Sequence, residues 1–296
     1  MSMLELIIYG AVFGSVLALL ASGYSLVYGV GGIINLAHGA FYMLTAYIIF
    51  WVIEINIFTY PISIIISLII ITIIGAITYL ILIEPLEKYG EVSILIITFA
   101  LAYFIERAVF LYESSKVGEL EAISLPSFIK GGFWLTDFYL YYQDIIIIIA
   151  AIIILTFLII FIRKTKLGKS IRAVSQDREA AQLMGVNVKI ILMITVAFSA
   201  FLAGIAATLY VPKTNIMPHV GWDYLLFAMS VVILGGMGSL TGSLIGSYLI
   251  SFSRFFVLLY IDFPYQTAFS GLIHLIIILL ILIIRPRGLL GKKEKR

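Results

Sequence analysis

Charged residues in this chain fall into a few clusters, and the stretches between them are long and apolar. From Leu6 to Ile53 no residue is charged if His38 is neutral. Further runs cover Ile62–Ile83, Val92–Ile105, Ile145–Ile162, Ile190–Val211, Tyr224–Ser253 and Phe263–Ile284. Uncharged apolar runs of about 18 residues or more predict membrane spans. Lipid offers no partner to an exposed backbone polar group, and the runs lack the alternation of a membrane barrel. The pattern therefore predicts an all-α polytopic membrane protein, a single transmembrane domain over 1–296.

Charge orients the spans. Most of the 19 basic residues sit in two segments. Segment 163–189 carries Arg163, Lys164, Lys166, Lys169, Arg172, Arg178 and Lys189, and the tail 285–296 carries Arg285, Arg287, Lys292, Lys293, Lys295 and Arg296. Short basic loops stay on the cytoplasmic side, so both segments are expected inside. Crossings at about 6–28, 36–53, 62–83, 92–112 and 145–162 precede the first segment, placing the N-terminus and the stretch 106–144 outside. Beyond it, 190–211 and 263–284 flank a region, 224–261, broken by Gly235, Gly236, Gly238 and Gly242. Two short helices around that break give nine crossings; a re-entrant piece would give eight.

Composition removes whole classes of function. The chain is 62% hydrophobic and 12% charged, with a mean hydropathy of +1.16. It has no cysteine and three widely spaced histidines, which argues against disulfides and against a metal cluster. The net charge of +3 is accounted for by topology and calls for no nucleic acid. No HExxH and no aspartate pair on spans points to a membrane hydrolase. No acid falls well inside an expected span, which weighs against a free-standing proton-coupled carrier. No cofactor is expected. Glu106 and Arg107 are expected at the outer interface, with Lys213, Trp222 and Asp223 as external anchors.

Two constellations could carry function. The first is the interrupted run with Gly29, Gly31, Gly32, Asn35, His38 and Gly39, which the Gly235, Gly236 and Gly238 break matches in the other half. Paired interruptions point to a duplicated transporter with its pathway at the breaks, although small residues also serve helix packing. Asn35 and His38, three apart, would share a helical face. Spacing alone leaves open whether they line a pathway or tie helices together. The second is Gly168–Val188, GKSIRAVSQDREAAQLMGVNV. Lys169–Met184 predicts one polar helix stopped by Gly185, with Ala173, Asp177, Ala180 and Met184 on one small-residue face and Arg172, Gln176 and Glu179 beside it. Such a helix lies on the inner leaflet or docks into a partner.

Three motifs resemble one family: GYSLVYGVGGIINLAHGAFYMLTAY (Gly23–Tyr47), GKSIRAVSQDREAAQLMGVNV and RPRGLLG (Arg285–Gly291). They resemble the LivH-type permease subunit of ABC importers for branched-chain amino acids, and the likeness runs end to end. It implies the fold of vitamin B12 and sugar importers, with an inverted repeat. Members of that class typically have ten helices, and dropping the first leaves nine with the N-terminus outside. The resemblance also implies that Arg172–Gly185, Arg178 among them, seats in an ATPase. It implies an assembly of two ATPases, a LivM-like second permease and an external amino-acid-binding protein. The alternatives are a permease for another small solute, such as urea or an aromatic compound, or an ion-coupled carrier. No GxxxxGK[ST] occurs, so ATP hydrolysis would fall to the partners.

Overall fold

A computed structural model describes residues 3–117, 123–135, 138–260, 265–286 and 288–291. Glu119, Glu121, Asp137, Arg287, Lys292, Lys293, Lys295 and Arg296 lie outside the described residues. The helices are α1 (Met3–Gly31), α2 (Ala37–Glu54), α3 (Tyr60–Ile77), α4 (Glu91–Val117), α5 (Tyr142–Lys164), α6 (Lys166–Gln176), α7 (Arg178–Leu183), α8 (Val188–Tyr210), α9 (Val220–Gly235), α10 (Leu240–Tyr260) and α11 (Gln266–Ile284). Seven helical segments among the described residues are long and apolar enough to cross a membrane; α9 and Phe269–Ile284 are shorter apolar helices.

Burial sorts these helices into an inner and an outer set. α1 runs through the centre against α8, α10, α5 and α9, and Val16, Leu17, Ala18, Leu19, Leu20 and Ala21 have no exposure. Small residues make this possible: a Cβ on Gly10 or Gly14 would strike the ring of Phe252 or Tyr248 on α10. Close approach through small residues is how helices associate where lipid is as apolar as leucine. α3, α4, α5 and α11 turn Ile65, Ile69, Ile73, Ile96, Phe104, Ile152, Ile153, Leu279 and Ile283 outward, as lipid-facing helices do.

Three expectations need correction. The polar helix expected over Lys169–Met184 is broken: α6 ends at Gln176, and Asp177 stands extended (φ −160°, ψ 113°) as the cap of α7. Its carboxylate accepts from the Ala180 N–H at 2.9 Å, a local bond that competes with helix continuation. Ala173 is therefore half-buried while Asp177, Ala180 and Met184 are exposed, so the four form no continuous stripe. Gly185 does stop α7: its φ is +83°, and the Gly185 and Val186 N–H groups bond Gln182 and Ala181 carbonyls at 3.0 Å, a Schellman closure.

The second correction concerns α4, which continues to Val117. Glu106 then lies about 16 Å short of its end, inside a candidate span rather than at its edge. Third, Trp222 does not serve as a belt anchor, because its indole N–H turns inward to Glu106. Both errors have one cause: a partnered carboxylate need not end a span.

At the end of the bundle opposite the basic segment, β1 (Gly132–Leu135) and β2 (Phe138–Tyr141) pair antiparallel. A bridge between Ile123 and Ile216 ties this region to the α8–α9 connection. Buried Asp144 at the start of α5 pairs with Lys213, and Gln143 donates to the Leu209 carbonyl at 2.7 Å.

Candidate functional site: the interrupted helices and the polar helix pair

The run from Gly29 to Gly39 is a true interruption. α1 ends at Gly31, Gly32 takes a left-handed φ of +60°, and α2 does not start until Ala37. No atom stands within 4 Å of a Cβ built on Gly32, so its requirement is conformational. Asn35 lies inside the break, 2% exposed. Its side-chain oxygen accepts from the Ala37 N–H at 3.0 Å, while its amide nitrogen has no partner.

His38 opens α2 and is fully buried. Its Nε2 faces the Leu20 carbonyl at 2.9 Å, so Nε2 carries the hydrogen. Nδ1 then accepts from the Ser199 hydroxyl at 3.0 Å. The ring thus ties α1, α2 and α8 with both nitrogens in use, whereas Asn35 keeps a free donor; the two do not share a role. Leu20 is about 16 Å along α1 from Gly31, so α2 begins deep within the bundle. The Leu36 N–H is held by the Thr98 hydroxyl on α4 at 3.2 Å.

The other glycines mediate backbone contacts. A Cβ on Gly39 would stand 2.1 Å from the Gly221 carbonyl oxygen, and one on Gly235 would stand 2.3 Å from Gly242. Gly29 meets Gly238, so the two interruptions touch. Gly236 (φ +99°) and Gly238 (φ +79°) form the α9–α10 turn. The tail closes over it: Leu289 and Leu290 donate to the Leu234 and Gly235 carbonyls at 2.8 and 2.9 Å. RPRGLLG thus caps the last carbonyls of α9, which a helix end otherwise leaves unpaired.

The polar helix pair is joined to the first interruption. Arg178, first residue of α7, donates through its guanidinium to the Gly31 carbonyl at the end of α1, where a cation is favoured by the helix dipole. It also stands 3.8 Å from Glu87, and Lys189 is 2.6 Å from Glu84. These acids lie on the turn at Glu84–Tyr89 that follows α3. Arg172 is half-buried, and Gln176, Glu179, Ala180 and Gly185 are exposed. Leu183 and Met184 are 88% and 84% exposed. Met184 was among the expected contacts; Leu183 was not, though its place before the Met-Gly stop was a signal for an apolar tip.

Sequence reading missed Arg254 and misplaced Glu106. Glu106 is 8% exposed and accepts from Trp222. Arg254 on α10 has its guanidinium over the rings of Phe13 (4.7 Å) and Phe227 (5.0 Å). His274, on α11, has its ring 4.4 Å from that of Phe227.

A family model described as "branched-chain amino acid transport system / permease component" matches residues 6–282. The high-affinity branched-chain amino acid transport system permease protein BraD of Pseudomonas aeruginosa is 28% identical, over 98% of this chain and 96% of its own. The high-affinity branched-chain amino acid transport system permease protein LivH of Escherichia coli K12 is 27% identical over 96% and 94%. A probable branched-chain amino acid transport permease of Methanocaldococcus jannaschii is 28% identical over 99% and 95%. No solved structure matches.

Proposed function

The chain belongs to the branched-chain amino acid transport permease family, and on that premise we propose that it is the pathway subunit of an ATP-driven importer for branched-chain amino acids. The relatives' substrates support the cargo. The membrane part is then nine crossings with the N-terminus outside, built as an inverted repeat, and the basic end is cytoplasmic. ATP hydrolysis falls to two partner ATPases, and an external binding protein supplies the amino acid.

The observation that carries this reading is the Arg178 contact with Gly31. An element too polar to span presents an apolar tip, Leu183 and Met184, on one side and holds the interrupted helix on the other. Such an element passes a motor's movement to the pathway. Gly32 and Asn35 are the part of the path that responds; Gly29, Gly235, Gly236 and Gly238 form its fixed floor. A second, LivM-like permease completes the membrane part.

The test is co-expression with an ATPase from a neighbouring gene. Co-purification and ATP-dependent uptake of a labelled branched-chain amino acid are expected. Replacing Arg178–Ala181 by a Gly-Ser stretch is expected to abolish both. Uptake by the chain alone would overturn the proposal in favour of an ion-coupled carrier.

A further inference from the structure

Glu106 is 8% exposed within a helix long and apolar enough to span, and ionisable groups in such segments mark substrate paths. It lines a cavity of about 10 Å³, otherwise walled by apolar atoms of Leu36, Ala40, Met43 and Leu225 and by Trp222. Leu36 belongs to the first interruption and Leu225 to α9, so the cavity lies between that interruption, α4 and the start of α9. The next residue, Arg107, sets its guanidinium 3.7 Å from Glu106 and over the rings of Tyr103 and Phe110 at 5.0 and 5.6 Å. A buried anion, a more open cation and an apolar wall thus stand side by side.

We propose that Glu106, Arg107 and this apolar wall form a transient station for a zwitterionic, hydrophobic α-amino acid. Glu106 receives the ammonium in place of the Trp222 N–H, and Arg107 receives the carboxylate. The side chain enters between Leu36, Met43 and Leu225. An α-amino acid carries its two opposite charges one carbon apart, which suits two adjacent unlike charges better than an isolated one. At its present size the cavity admits one water-sized body. Loading therefore requires its apolar wall to part. This inference rests on the importer reading above and names a site within it.

The experiment uses the assembled importer in liposomes, with its binding protein loaded with labelled leucine. Glu106→Gln keeps an oxygen that can accept from Trp222 and removes only the charge. Uptake is expected to fall about tenfold or more, the scale for losing one partner of a buried charge contact, with assembly and basal ATP hydrolysis unchanged. Arg107→Gln, at an exposed position where little packing is lost, is expected to lower uptake about threefold or more. Native uptake in either variant overturns the station, and Arg107→Gln can do so even if Glu106→Gln does not assemble. A native assembly that moves no leucine overturns the importer reading itself, before any variant is compared.

Discussion

Two interruptions face each other across the Gly29–Gly238 contact, and they are built on different principles. The α1–α2 break is long and loosely held: Gly32 has open space around it, and Asn35 buries an unpaired donor. The α9–α10 break is a tight turn in which Gly235 and Gly242 meet backbone to backbone. Two further hydrogen bonds from the tail secure it. Arg178 reaches only the first. Glycine content alone therefore does not mark a moving part. What matters is whether the space left by the missing Cβ is filled by a neighbour.

That contrast is easiest to break with a methyl group. A Cβ on Gly242 would stand 2.0 Å from the Gly235 carbonyl oxygen, with backbone on both sides and nothing flexible to yield. Gly242→Ala is expected to cost about 3 kcal/mol and most of the folded yield, read as thermal stability in detergent. Gly32→Ala meets no atom, only the penalty of a left-handed backbone, about 1 kcal/mol. Equal losses would erase the distinction between the breaks.

Asn35 and His38 sharpen it from within the first break. His38 ties three helices, so His38→Ala opens a cavity and strands its partners; about 2–3 kcal/mol of stability should go. Asn35→Ala removes one capping bond and an already unpaired donor, and is expected to cost about 1 kcal/mol. Uptake per folded molecule should fall further in Asn35→Ala than in His38→Ala. The reverse order would move the pathway from the break to the imidazole.

Arg178→Ala comes next. The side chain is partly exposed, so stability should barely change. Losing its contact with Gly31 should reduce uptake per ATP hydrolysed about tenfold, in the range of a single coupling contact, while the ATPase still co-purifies. Unchanged coupling would show that the first break moves independently of α7.

Much of this arrangement was legible in the sequence, and the exceptions share a cause. Apolar run length placed the helices, because lipid imposes that length regardless of partners. Gly185 announced its stop because a left-handed residue is a local demand. Positions that depend on distant partners were hidden. Glu106 read as interfacial because nothing near it in sequence reveals the Trp222 indole. RPRGLLG read only as a basic cytoplasmic tail because α9, whose end it caps, lies some fifty residues upstream. The break at Asp177 was readable: an aspartate ahead of a helix-forming run is a cap signal. The absence of proline and glycine hid it.

Asp177 yields the smallest effect and the narrowest test of the comparison. It makes no contact with either interruption, yet its carboxylate caps the helix that begins with Arg178. Asp177→Ala should release the Ala180 N–H and fray α7, at about 1 kcal/mol, seen as faster hydrogen exchange in 178–184. Asp177→Asn retains an accepting oxygen and should restore protection. If α7 holds the first break through Arg178, the alanine variant should also speed exchange around Gly32 and leave the Gly236–Gly238 turn unchanged. Exchange rising equally at both breaks would mean that they move as one unit, since Gly29 and Gly238 would then transmit what Arg178 begins. Exchange rising at neither would confine Asp177 to the docking tip, and the link between motor and pathway would have to run through Glu84, Glu87 and Lys189.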